Sequence, residues 1–342
     1  MRVLLTGHHG YVGSVMAPML IAAGHEVVGL DTFLYEGSTF GEEVATPGLI
    51  EIRKDVRDID TQDLDGIEAV IHLAALSNDP LSDINPELTY DINHKASVQL
   101  AKLAKENGIQ RFIFASSCSN YGAAGNDFMV ETSEVNPITA YGRSKVYVER
   151  DVAQLADESF SPTFMRSATA YGVSPRLRFD VVVNNLTAWA FTTGKVLLKS
   201  DGTPWRPLVH VEDMSHAFIA ALHAPREIVH NQTFNIGQTK ENYRIRELAQ
   251  IVAEVVPHSQ VEFAPGASAD QRDYRVNCDK IANTLTEFKP QWDVPKGARQ
   301  LYEAFKRVEI DVNDFEGPRY RRISRLKHLM ESGKLNENLR WQ

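Results

Sequence analysis

Cysteine is almost missing. The 342 residues contain only Cys118 and Cys278, too few for a disulfide framework and without the spacing of a zinc site. A reducing compartment is the simpler setting for such a chain. Long apolar runs are missing too: Ala69–Leu76 is broken by His72 and falls far short of the roughly 18 residues a membrane span needs. Positive charge is in deficit, with 36 Lys and Arg against 45 Asp and Glu and a net charge of −9. An acidic body repels phosphate backbones, which argues against a general nucleic-acid binder. It leaves room for a phosphate-bearing small ligand held by a few local donors. No internal repeat, low-complexity tract or long linker is found, and Met1-Arg2 runs straight into Val3-Leu4-Leu5 without a leader pattern. The expectation is a cytoplasmic protein with neither membrane nor nucleic acid as partner.

What is present is the mix of an ordinary globular chain, 43% hydrophobic and 24% charged, long enough for about two domains. The first half alternates short apolar runs with helical patterns. Strands are predicted at Val3–Thr6, Glu26–Leu30, Leu49–Arg53, Ala69–Leu73, Arg111–Ser116 and Ser161–Arg166, and helices at Gly13–Ala23, Asn93–Asn107 and Tyr141–Ala156. Doubly apolar strands separated by helices imply parallel βαβ units, and right-handed crossovers then give an α/β, doubly wound parallel sheet. After about residue 170 the rhythm loosens, and from about Asn242 helices and loops are expected to dominate. The division expected is a doubly wound domain over 1–170 plus about 207–240. A smaller, discontinuous substrate domain would take 171–206 and 241–342. The basic run Pro318–His328 reads as a solvated or salt-bridged helix face ended by Gly333, with phosphate contact as the alternative.

Thr6-Gly7-His8-His9-Gly10-Tyr11-Val12-Gly13 follows the first strand and opens the first helix. Gly7 permits a tight turn, Gly10 lets backbone approach a diphosphate, and Gly13 allows close packing. The helix N-terminus supplies N–H donors and a partial positive charge for the anion. Asp31 ends the second strand, where a carboxylate would bond ribose hydroxyls and repel a 2′-phosphate. NAD is therefore expected over NADP, with His8 and His9 as donors that could soften the choice.

Tyr-x-x-x-Lys occurs twice, at Tyr141/Lys145 and Tyr302/Lys306. On a helix both side chains share a face, and an ammonium beside a phenol favours the phenolate. Only the first pair follows a strand whose end carries hydroxyls, Ser116-Ser117-Cys118-Ser119. A strand's carboxyl end in such a sheet is where Ser117 and Tyr141 could share a substrate oxygen.

These residues resemble the extended short-chain dehydrogenases/reductases of the nucleotide-sugar epimerase/dehydratase group. The likeness rests on the glycine triplet, Asp31, Asp55-Val56, His72-Leu-Ala-Ala75, Ser116-Ser117, Tyr141-Gly-x-Ser-Lys145 and Arg166. It continues through Asn184-Asn185-Leu186, Trp205–Asp213, Phe234–Gly237 and Asp270–Tyr274, so it spans essentially the whole chain. The resemblance implies a Rossmann-type sheet with Gly7, Gly10, Tyr11, Val12, Gly13 and Asp31 holding the cofactor. Asp55 and Val56 would hold its adenine, and Leu73, Ala74 and Ala75 would line the path of the nicotinamide ribose. It implies Ser117, Tyr141 and Lys145 as catalytic residues, with Tyr141 and Lys145 also binding the cofactor, Lys145 on that ribose. Ser119 and Thr169 would meet the sugar, and Asn185, Leu186, Arg206 and Arg272 the substrate diphosphate. No metal is implied, and the partner expected is a second copy, joined through a four-helix bundle of Asn93–Asn107 and Tyr141–Ala156.

Two departures narrow the reaction. Sugar-nucleotide 4,6-dehydratases of this group usually carry Thr-Asp-Glu where this chain has Ser117-Cys118-Ser119, which cannot supply the acid/base pair for water elimination. Thr169 stands where the group often has Asn. The expectation is NAD-dependent epimerisation of a nucleotide-diphosphate sugar through a transient keto-sugar. The alternatives are an NAD(P)H-dependent ketoreductase of a keto-deoxysugar nucleotide and a non-catalytic NAD-binding regulator.

Overall fold

Val3, Leu4 and Leu5 are all fully buried, yet they face two different cores. Val3 and Leu5 join Val27, Ala69, Ile71 and Ile113 on one side. Leu4 joins Val28, Val70, Phe112 and Phe114 on the other. Successive side chains of a strand point to opposite faces, so a run apolar at every position needs cover on both. That is what a central strand has here. The computed structural model describes residues 1–43, 45–77, 85–268 and 272–342.

Fourteen strands are described: β1 (Arg2–Thr6), β2 (Glu26–Asp31), β3 (Leu49–Arg53), β4 (Ala69–His72), β5 (Arg111–Ser117), β6 (Ala123–Met129) and β7 (Ser161–Ser167), then β8 (Thr169–Tyr171), β9 (Lys195–Ser200), β10 (Trp205–His210), β11 (Gln232–Ile236), β12 (Asn242–Arg244), β13 (Gln260–Ser268) and β14 (Asp273–Val276). Seven form one sheet in the order β3-β2-β1-β4-β5-β7-β11. Every pairing in it is parallel, with Leu4 opposite Val28 on one side and Val70 on the other. The order reverses between β1 and β4, and the crevice at the carboxyl ends of strands beside such a reversal is where ligands bind.

Helix Gly13–Ala22 follows β1 directly. Helix Ala140–Ala153 starts at Thr139, whose hydroxyl accepts from Gly142 N at 3.1 Å. The helix predicted at Asn93–Asn107 begins earlier. Asn85 caps it by accepting from Leu88 N, Pro86 occupies its first turn, a π-helical turn covers Asp91–Lys95, and the helix ends at Glu106. It lies beside Ala140–Ala153, with His94 Nε2 2.7 Å from Asp151 Oδ2.

Beyond the sheet, β8, β10 and β12 form a three-stranded sheet, while β13 pairs with β9 and β14 with β6. These strands correct the expectation of helices and loops after Asn242. The β9–β13 and β6–β14 pairs join segments far apart in the chain, and Ala123–Met129 carries Gly125, Asn126 and Asp127, residues poor in strands. Long-range pairing overrode weak local preference. Helices Val182–Thr193, Ile245–Val255 and Val294–Val308 share a third core with Phe179, Phe315 and Tyr320. The end of the chain turns back: Leu326, Leu329, Leu335 and Leu339 pack in the core that holds Leu4 and Val28. No helix among the described residues is long and apolar enough to cross a membrane.

Candidate active site

A cavity of about 960 Å³ opens at the carboxyl ends of the sheet, at the upper end of the roughly 300–1,000 Å³ common for ligand sites. The residues expected to hold cofactor and substrate or to carry the chemistry line it: Gly7, Gly10, Tyr11, Val12, Gly13, Asp31, Asp55, Val56, Leu73, Ala74, Ala75, Ser117, Ser119, Tyr141, Lys145, Thr169, Asn185, Leu186, Arg206 and Arg272; His8 and His9, suggested as donors, do not. Tyr302/Lys306 does not. Lys306 Nζ lies 5.3 Å from the Tyr302 ring and pairs with Glu303 on the outside of helix Val294–Val308.

The turn after β1 fits a diphosphate. Gly7 has φ +76°, and a Cβ there would lie 2.8 Å from Ala74 N. A Cβ on Gly13 would lie 2.2 Å from Gly7 O and 2.5 Å from His8 Cα. At Gly10 a Cβ would meet only Gly7 O, at 3.1 Å, so that face of the turn is open to a ligand. Asp31 accepts from His9 N at 3.1 Å through one oxygen and from Phe33 N at 2.7 Å through the other. Each oxygen keeps a lone pair for a hydroxyl, and burial pushes the carboxyl pKa up. Hydroxyl donors would favour its charged form.

Three side chains are more committed than their sequence suggests. Asp55 caps the turn at Val56–Asp58 and takes Arg57 in a fork, Nε at 3.0 Å and Nη2 at 2.7 Å. Burial opposes its charge, but Arg57 wins and holds the pKa below the usual value. Asn185 donates its amide to Phe179 O at 2.8 Å, leaving its amide oxygen. Arg206 donates to Trp205 O at 2.7 Å and to Arg272 O.

At the reactive end, Ser117 Oγ accepts from Ser119 N at 3.1 Å and Ser119 Oγ at 2.9 Å. Its own proton remains available for a ligand oxygen. Lys145 is buried, with Nζ 2.7 Å from Ala115 O and 5.7 Å from the centre of the Tyr141 ring. Burial pushes its pKa down to about 7, with Glu149 pulling the other way. A positive charge so placed gains most from an oxyanion beside it. Cys118 faces the interior, donating to Arg166 O at 3.1 Å, and burial raises its thiol pKa.

A buried chain of hydrogen bonds ties the two ends together. Ser97 Oγ gives its one proton to Asn93 O at 2.7 Å, so it accepts from His72 Nε2, also at 2.7 Å. His72 Nδ1 is then bare and accepts from Thr6 Oγ1 at 2.6 Å, and Thr6 Oγ1 accepts from Ala74 N at 3.3 Å. Asn93 also donates to Ser144 Oγ at 3.3 Å, and Ser144 donates to Tyr141 O at 2.7 Å. His72 must stay neutral for this chain to hold. Burial, aided by the charge on Lys145, pushes its pKa down to about 3. An unfolded histidine titrates near 6.5, so between pH 6.5 and 3 the unfolded state binds the extra proton. The contribution to stability is whole above pH 6.5 and declines below it, by ~2 kcal/mol at pH 5. Urea unfolding at pH 7 and 5 measures this loss. Equal stability, or a His72 ring titrating near 6.5 by NMR, would contradict it.

Several wall residues escaped sequence reasoning: Tyr35, Arg178, Arg321, Arg322, Ile323, Ser324 and Leu339. The basic run after Pro318 was the one signal pointing to part of them.

The sequence profile of the NAD dependent epimerase/dehydratase family matches residues 3–237, and the chain belongs to that family. It is an enzyme of the epimerase/dehydratase type that works with a nicotinamide cofactor. UDP-glucose 4-epimerase of Corynebacterium glutamicum is 27% identical over 301 residues, 83% of this chain and 90% of that protein. UDP-glucuronic acid decarboxylase 1 of Arabidopsis thaliana is 26% identical over 333 residues, 93% of this chain and 72% of that protein. The solved structure of Thermotoga maritima UDP-glucose 4-epimerase with UDP-glucose has a TM-score of 0.79 at 23% identity, covering 91% of this chain and 100% of that one. That likeness is one of fold.

Proposed function

We propose that the protein is an NAD-dependent epimerase of a nucleotide-diphosphate sugar, acting through a transient keto-sugar. The observation that carries this reading is the meeting in one cavity of the open glycine turn, the Asp31 carboxylate and the Ser117, Tyr141 and Lys145 side chains. A bound nicotinamide would take up and return the hydride at one sugar carbon.

The chain's own residues do the rest. Tyr141, as phenolate, takes the proton from the hydroxyl on that carbon. Lys145, held by Ala115 O, stabilises the phenolate charge. Ser117 donates its proton to the same oxygen and steadies the carbonyl as it forms. Tyr141 then returns its proton to the oxygen after the sugar has turned its other face. Arg206 and Arg272 lie on the wall where a nucleotide diphosphate would be gripped by planar donor forks. The positions where a dehydratase keeps its acid pair hold buried Cys118 and the hydroxyl of Ser119, neither of which can drive water elimination at neutral pH.

The test is incubation of the purified protein with UDP-glucose and, in parallel, other nucleotide hexoses, with only trace NAD added. Interconversion of 4-epimers at constant total NADH is expected. Stoichiometric oxidation of NADH by a 4-keto sugar nucleotide, with no epimer formed, would replace this reading by a ketoreductase.

A further inference from the structure

We propose that the C-terminal segment is part of the dinucleotide site and that Arg322 binds phosphate oxygens of the coenzyme's diphosphate. The proposal rests on the dinucleotide reading of the cavity above and adds to it a binding residue from outside the region that the family profile covers.

Arg322 opens helix Arg322–Glu331 and lines the cavity, yet it is only 3% exposed. Its guanidinium lies over the Tyr35 ring, 3.9 Å from the ring centre, and Nη2 donates to Arg176 O at 2.7 Å. Nη1 is buried and has no hydrogen-bond partner among the described residues. Two of the carboxylates nearby are already committed. Asp180 takes the Arg178 fork at 2.9 Å through both oxygens, and Glu43 pairs with Arg176. No carboxylate among the described residues pairs with Arg322, and burial pulls its pKa down to about 10. A guanidinium taken out of water without an anion is costly, and a nearby anion reverses the sign of that cost. The cavity is where such an anion can enter.

The surroundings say which anion. Arg178, beside Arg322, donates to Ser77 Oγ at 3.1 Å, in the loop that follows β4. The glycine turn, with the helix N-terminus behind it, lines the same cavity. Asp31 would repel a phosphate on the adenosine ribose. A diphosphate between the turn and the two arginines meets donors on both sides.

The segment also covers the loop that follows Asp31. Arg325 donates to Glu36 O, Trp341 Nε1 to Thr32 O at 2.6 Å, and Arg340 pairs with Asp58.

The experiment is calorimetric titration of the full-length, nucleotide-free protein with NAD⁺, NADP⁺, ADP and adenosine, using wild type, Arg322→Met and Arg322→Lys. Arg322→Met is expected to weaken NAD⁺ and ADP alike, by roughly 10- to 100-fold, to leave adenosine unchanged, and to lower no melting temperature in the absence of ligand. Arg322→Lys falls between. Unchanged NAD⁺ and ADP affinity overturns the proposal, as does a loss that extends to adenosine, which would mark a packing role. A loss confined to NADP⁺ overturns the diphosphate assignment in favour of a 2′-phosphate. Failure of the wild type to bind NAD⁺ or ADP would instead overturn the dinucleotide reading itself.

Discussion

Tyr141→Phe is expected to lower turnover by roughly 10²- to 10⁴-fold, the range of a lost general acid/base, while leaving dinucleotide affinity and melting temperature unchanged. The substitution removes one oxygen and keeps the ring. The helix cap at Thr139, the Ser144–Tyr141 carbonyl bond and the Lys145–Ala115 bond all lie outside the phenol. Lys145 would lose only its proposed counter-charge, so the pH profile of any residual activity should change shape as well as height. Tyr302→Phe is the control: it has the same spacing to a lysine, lies outside the cavity lining, keeps its ring against Phe191, and should be silent. Epimerase activity surviving Tyr141→Phe within a factor of a few would defeat the proposed chemistry, whatever the cavity binds.

The second large effect concerns the support beneath the site. Glu149, one turn along from Lys145, is buried and accepts from Arg166 Nε at 3.0 Å and Nη2 at 2.6 Å, from Asn120 at 3.0 Å, and from Ser116. Arg166 is buried as well and donates onward to the Tyr121 hydroxyl at 3.0 Å. Glu149→Leu leaves that guanidinium without its anion, and the expected loss is ~3–5 kcal/mol, as when one member of a buried pair is removed. Removing both charges is different. Glu149→Leu with Arg166→Met should recover most of the loss, because two charges returned to water in the unfolded state no longer penalise folding. Urea unfolding of the two single variants and the double closes the cycle. A single-variant loss under ~1 kcal/mol would mean that the pair is screened by water and does not support the strand ends carrying Ser117.

The elements that place the site were legible because their signals are local. The fully apolar run Val3–Leu5, the glycines after it and the acid at Asp31 each depend on residues within a few positions, since strand burial, turn geometry and helix starts are decided at that range. Tyr141 and Lys145 could be read for the same reason: four residues along a helix is a distance that sequence measures directly. Which of two identical spacings faced the cavity was readable only from the strand end before it.

What escaped was everything set by partners far along the chain. Ala123–Met129 becomes a strand only because Asp273–Val276 lies beside it, and no local preference announced either. The commitment of Asp55 to Arg57, and of Asp180 to Arg178, is a matter of which side chain reaches a carboxylate first in three dimensions. Arg322 shows the point most sharply. In the sequence it is one arginine of a basic run that reads as solvated, and Arg319 and Arg321 do pair with Asp314 and Glu316 near the surface. Only the return of the chain onto the sheet buries Arg322 against Tyr35, with no carboxylate among the described residues paired to it. Local periodicity and spacing therefore determined the sheet, the turn and the phenol–ammonium pair. Tertiary packing decided the distribution of counter-charges, because a charge's partner is fixed by distance through space and not by distance along the chain.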